Sequence, residues 1–126
     1  MKNSINTQTK ISILWITVML NMAYADILGL YIPGTIEELI AFAGGFSIAY
    51  IMLIAAIAHQ IPVAMIFLSH VLKNKLNKYL NISAAVLMII YVVGGGITLP
   101  HYIFLATIEV LCMLYIIKLA YSLKEK

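Results

Sequence analysis

Apolar residues fall into four long runs along this chain, near 11–31, 46–72, 78–97 and 100–122, and polar residues gather between them. Each run reaches about 20 residues, the length that carries a helix across roughly 30 Å of hydrocarbon. Lys73, Lys75 and Lys78 separate the second run from the third, while Gly94-Gly95-Gly96 and Pro100 divide the third from the fourth. Both connections are short, with Pro100 placed where a first helical turn tolerates it. Serial hairpins whose segments satisfy their own backbones predict an all-α integral membrane protein, a four-helix up-down-up-down bundle.

The longer connection, 32–45, has its own pattern. Thr35 followed by Glu38 has the spacing of a capping box, Pro33-Gly34 interrupts the chain before it, and Gly44-Gly45 stops it afterwards. Ile36, Leu39, Ile40 and Ala43 recur at helical spacing, with Glu37 and Glu38 facing away. A short helix over about 35–43 is expected at the outer membrane surface, covering the end of the bundle.

Composition agrees with lipid as the surroundings. Of 126 residues 63% are hydrophobic and 10% charged, with a mean hydropathy of +1.03; soluble domains run near 45–50% and 25%, so a soluble globule is excluded. All eight basic residues are lysines, and they occupy positions 2, 10, 73, 75, 78, 118, 124 and 126. These lie on one side of the bundle, and the connections 32–45 and 98–101 carry none. The positive-inside rule then expects both termini in the cytoplasm, with the chain multi-pass in the cytoplasmic membrane. A rival reading takes residues 2–25 as a cleaved secretory signal ending Ala23-Tyr24-Ala25. The apolar run continues to Ile32, which favours an uncleaved first span.

A net charge of +3, dispersed over lysines, gives no nucleic-acid surface. Cys112 is the single cysteine. With no zinc spacing, nucleotide fingerprint or nucleophile motif, neither metal nor cofactor is expected and no motif supports catalysis. Asn81-Ile82-Ser83 has the form of a glycosylation sequon but falls on the cytoplasmic side.

Chemistry is sought among the polar residues that lipid makes expensive, since a charge at mid-bilayer costs at least roughly 2.5–3.5 kcal/mol on insertion scales. Glu109 falls near the middle of the fourth run, and Asp26 near the outer end of the first. His59 and Gln60 fall near the middle of the second, and Asn21 near the middle of the first. At 100° per residue Trp15, Met19, Met22 and Asp26 make one stripe, and His59, Pro62, Val63, Ile66 and His70 a second. Leu105, Glu109, Cys112, Met113 and Ile116 make a third, expected to face inward. Pro62 frees the carbonyl of Ala58 beside His59. Tyr24, Tyr50, Tyr91 and Tyr115 lie deep enough for their hydroxyls to need partners such as Glu109 or Asp26, whereas His70 and His101 are expected at the interfaces, mostly solvated. Small residues at Ala25 with Gly29, Ala41 with Gly45 and Gly45 with Ala49 are spaced for close helix approach, as in ordinary membrane-helix packing.

At Leu14-Trp15-Ile16, Asn21 through Leu28, Ile61 through Met65, Ser69 through Leu72 and Ala106 through Val110, the chain resembles a family of small four-span bacterial membrane proteins. That family is known only as a domain of unknown function and is loosely similar to the DoxX-like group. The resemblance extends over nearly the whole chain and implies an uncleaved four-span protein of a bacterial membrane, with Asn21, Tyr24, Asp26, Pro62 and Glu109 at matching positions. The ending Ile117 through Tyr121 departs from the tryptophan-bearing ending of such proteins.

Three functional readings follow. The leading one is a small-ligand-binding or accessory membrane protein, with Glu109, Asp26, His59, Gln60, Asn21 and Tyr24 around a polar cavity open to the outer side, taking a small lipophilic or polar ligand. The second is a structural subunit whose polar residues tie helices together or bind a partner. The third is a proton-coupled transporter or membrane enzyme working as a homo-oligomer, because four spans give one chain little room for alternating access.

Overall fold

A computed structural model describes residues 5–95 and 99–124. Lys2, Lys126, Gly96 and Thr98 therefore lie outside the described residues. Five helices appear in order: α1 (Thr7–Gly29), α2 (Thr35–Ala43), α3 (Ile48–Val71), α4 (Asn74–Gly94) and α5 (Pro100–Tyr121). All except α2 are long and apolar enough to cross a membrane. α1 packs on α3 and α5, and α4 packs on the same two, so the long helices form a ring with α1 diagonal to α4. The expected all-α bundle of four long helices and one short one is therefore present.

Local chemistry sets the boundaries. The Asn6 side chain accepts from the Thr9 amide at 2.7 Å, so α1 starts at Thr7, earlier than the apolar run alone suggests. Ser47 caps α3 by accepting from the Ala49 amide at 3.2 Å. Pro100 stands in the first turn of α5, as expected. α3 runs through Pro62 as one helix of 24 residues.

α2 departs from expectation at its start. Gly34 is the N-cap with φ +88°, and Thr35 sits one place inside the helix, donating its hydroxyl back to the Ile32 carbonyl at 2.8 Å. The capping box does not form, because Gly34 turns the chain into the helix without strain and takes the N-cap place, which leaves the Thr35 hydroxyl one position too far along to cap. Gly44 and Gly45, at φ +59° and +97°, end the helix as expected. α2 leans on α3 alone among its strong contacts; Ala43 is buried and Leu39 half-buried, while Ile36 and Ile40 stay exposed.

The buried edge of α1 is Ile11, Trp15, Val18, Met22, Ala25 and Gly29. This rotates the expected stripe, since Asp26 stands on its flank and Met19 is only half-buried. Steps of four and three residues keep a 3.5-residue period toward the neighbouring helices. In α3 the inward line is Pro62, Met65 and Ser69, while Val63 and His70 are exposed, so the stripe from His59 to His70 straddles the edge of the buried face. In α5 Glu109, Met113 and Ile116 are buried and Leu105 and Cys112 half-buried, so the expected face points inward.

All described lysines cluster at one end. The Gln8 amide donates to Asn74 at 3.0 Å, and Asn74 donates to the Lys124 carbonyl at 2.9 Å, which joins the starts of α1 and α4 to the end of α5. An open cleft of about 440 Å³ lies there, lined by Asn6, Gln8, Asn74, Ser122 and Lys124 among others. Lys78 covers the Tyr121 ring at 4.5 Å and Lys118 the Tyr115 ring at 5.9 Å, so both cations lie on aromatic faces.

Candidate functional site

Two polar groups of opposite character occupy the bundle. The first, nearer the lysine end, is sealed. Trp15 Nε1–H donates to Asn81 Oδ1 at 2.7 Å across the diagonal from α1 to α4, and the Ser69 hydroxyl of α3 donates to the same oxygen at 3.2 Å. Asn81 Nδ2 donates to the Asn77 carbonyl at 2.9 Å, and Asn77 Nδ2 to the Ser69 carbonyl at 2.7 Å. Ser12 donates to the Ile66 carbonyl at 2.9 Å. Every one of these side chains is buried and supplied with partners. This is a brace for three helices. Sequence reasoning passed over it, although Asn77 and Asn81 stand one turn apart on α4 and follow Lys73 and Lys75 closely enough to read as interfacial.

The second group lies toward the other end and draws on all four long helices. Asp26 comes from α1, His59 from α3, Tyr91 from α4, and Tyr102 and Glu109 from α5. His59 Nδ1 is 2.6 Å from the Ala55 carbonyl; a carbonyl only accepts, so Nδ1 carries the hydrogen and donates. That leaves Nε2 directed at Asp26 Oδ2, 3.7 Å away. Side chains lean toward the N-terminus of their own helix, so in antiparallel α1 and α3 the carboxylate and the imidazole lean toward one another. The ring edge of Tyr91 meets His59 at a centroid distance of 5.9 Å and 87°. Asp26 and Glu109 are within electrostatic reach of each other, and both reach Tyr102. The Tyr102 hydroxyl is packed over Gly95 so closely that a methyl group added there would stand 3.1 Å away.

Glu109 is 3% exposed. No described residue hydrogen-bonds to its carboxyl. Yet among the described residues no side-chain nitrogen or oxygen is both sealed and unpartnered. The carboxyl oxygens must therefore meet an opening wide enough for water. Asp26 is the opposite case, with 66% of its side chain exposed against 22% for His59. A buried acid at mid-helix and, toward the lysine-free end, an open acid beside an imidazole thus belong to one polar group.

The other expected site residues are placed apart from this group. Asn21 is half-buried and donates its amide to the Thr17 carbonyl at 2.8 Å, so the partner of this bond lies within its own helix and not in this group. Tyr24 is 60% exposed, and Gln60, one position beyond His59, is exposed with no described hydrogen-bond partner. Tyr50 and Tyr115 also face outward, so of the four deep tyrosines Tyr91 alone meets the polar group. Tyr102 joins it from the first turn of α5, a place that reads in the sequence as membrane-interface aromatic. His101 is half-buried, contrary to a solvated interface position, and donates from Nε2 to the Ala25 carbonyl at 3.3 Å. The small side of Ala25 and Gly29 admits the ring there. No three His, Cys, Asp or Glu side chains among the described residues converge as a metal site.

One family model matches residues 2–126, almost the full chain. The chain belongs to DUF6326, a family of unknown function. No curated protein and no solved structure matches it. The DUF6326 chain thus has four membrane-compatible helices, its family carries no activity over to it, and its chemistry is read from its two polar groups.

Proposed function

We propose that this DUF6326 protein lies in a bacterial cytoplasmic membrane with its lysine end inside, and binds a small organic cation from the outer side. The single observation that carries this reading is Glu109, an acid 3% exposed in mid-helix that no described residue hydrogen-bonds. An acid serving as glue would donate to or accept from a neighbouring helix. Glu109 does neither with any described residue, while Asn77 and Asn81 do so abundantly.

The ligand class follows from charge and shape. Asp26 and Glu109 are two carboxyls within electrostatic reach of each other, and no described lysine lies toward the end of the bundle that Asp26 occupies. Glu37 and Glu38 on α2 add negative charge on that side. Rings and hydroxyls of Tyr91 and Tyr102 suit an ammonium flanked by apolar groups, through cation–π and hydrogen-bond contacts. The absence of three converging ligands among the described residues favours a protonated amine over a metal ion. Asp26, being open, would meet the ligand first, and Glu109 would neutralise it inside.

The test is a thermal-unfolding screen of the detergent-purified protein against primary, tertiary and quaternary amines. A bound amine at 100 times its Kd stabilises by about 2.7 kcal/mol, a shift of several degrees. The shift should vanish in Glu109→Gln and shrink in Asp26→Asn. A panel that leaves the wild type unmoved, or moves Glu109→Gln equally, contradicts the reading.

A further inference from the structure

Of the four long helices α3 is the least enclosed by its own bundle, with 11% of its most apolar stretch buried against 22% for α5 and 33% for α1 and α4. Its outward face is a continuous stripe at steps of four and three residues: Leu53, Ile57, Gln60, Ala64, Phe67 and Val71, all exposed. That is the 3.5-residue period of a helix-pairing seam. The stripe is apolar except at Gln60, which stands at the middle of the 24-residue helix and so at the depth where hydrocarbon is least forgiving.

A carboxamide at this depth is unlike the other polar side chains of the bundle. It cannot discharge itself by taking up a proton, as a carboxylate does. Asn21, Thr17 and Thr107 donate back to their own helices, at 2.8, 3.1 and 2.8 Å. Gln60 makes no hydrogen bond with any described residue, and its two donors and its acceptor oxygen face outward. In a bilayer something other than lipid must meet them.

We infer that a second copy of this chain meets them: α3 pairs with α3 across a two-fold axis along the membrane normal, and the Gln60 carboxamides hydrogen-bond to each other. Copies inserted with the same orientation place their α3 helices parallel, so position 60 of one faces position 60 of the other. A carboxamide is complementary to itself, donating through its nitrogen and accepting through its oxygen. Ala56 and Ala64, one turn to either side and both exposed, let the two backbones approach closely enough for short side chains to bond. The polar position fixes the register of an otherwise apolar seam, the role a single buried amide plays in paired helices. The seam uses the face of α3 away from Pro62, Met65 and Ser69, so pairing leaves the interior of each bundle undisturbed.

The experiment uses the full chain. Two differently tagged copies are co-expressed, extracted in mild detergent and purified through one tag. In parallel, Gln60→Cys is oxidised in native membranes in a Cys112→Ser background, with Leu87→Cys, exposed on α4, as the geometric control. The copies should co-purify and Gln60→Cys should cross-link to a dimer while Leu87→Cys does not. Gln60→Leu should weaken pairing roughly tenfold and Gln60→Asn should largely retain it. Because Gln60 bonds to no described residue of its own chain, Gln60→Leu should keep the wild-type melting temperature in conditions that hold the protein monomeric, which separates lost pairing from lost folding. Copies that do not co-purify, equal pairing in Gln60→Leu, cross-linking no better at 60 than at 87, or capture of a different protein in place of the second copy would each overturn the inference.

Discussion

Asn81 and Glu109 are both polar, both buried and both set in apolar helices, but they differ in what surrounds them. Asn81 takes hydrogen bonds from Trp15 and Ser69 and gives its own to Asn77, so replacing it by alanine strands the Trp15 indole in a dry interior. The expected loss is about 1–3 kcal/mol of stability, read as a lower melting temperature in detergent. Glu109→Gln breaks no described hydrogen bond and should leave that temperature unchanged or raise it, because a carboxyl that can ionise is replaced by a neutral isostere. The sequence marked Glu109 as exceptional because charge is scarce in these spans. It concealed Asn77 and Asn81, which stand near the lysines and look interfacial until the fold shows α1 and α3 closing over them. Tyr102 was hidden for a similar reason, since an aromatic residue in the first turn of a span is ordinary unless a neighbouring helix presents acids to it.

At the scale of elements, α2 is where a single backbone angle decides most. Gly34 holds φ at +88° to start the helix, and a Cβ there is strained whatever space surrounds it. Gly34→Ala should cost about 1–2 kcal/mol locally, loosening α2 from α3. The check is cleavage after Glu37 and Glu38 by a glutamate-specific protease, faster in the variant while the four long helices remain intact. The α2 boundaries were legible from Gly34 and Gly44-Gly45, but Thr35 was assigned a capping role because a serine or threonine three residues before glutamate has that spacing. Positive-φ glycine and a capping threonine are alternative ways to start a helix, and sequence spacing does not choose between them. The rotation of α1 has a related cause. Phase counted at 100° per residue drifts from a helix whose neighbours hold it to a 3.5-residue edge, which is why Asp26 stands beside the buried line that ends Met22, Ala25 and Gly29.

At the scale of the molecule, charge and polarity are arranged along one axis: lysines at one end, a sealed brace near them, and an open acidic group toward the other. Such an axis follows from the sequence, because lysine placement and span length are enough to build it; which polar residues meet does not, because it depends on how four helices are rotated. With the lysine end inside, Ser47→Cys at the start of α3 should react with an impermeant maleimide added to intact cells carrying Cys112→Ser, and Ser122→Cys, beyond α5, should react only after lysis. Under the proposed function the two polar groups have separate work, the one near the lysines holding the helices and the open one binding a cation. The most direct measurement is thermal unfolding of wild type, Asn81→Ala and Glu109→Gln side by side, with and without the amine that most stabilises the wild type. Asn81→Ala should melt lower yet keep its response to the amine, while Glu109→Gln should melt no lower and lose the response. A Glu109→Gln protein that is destabilised and still responds would assign Glu109 to the scaffold and contradict the claim.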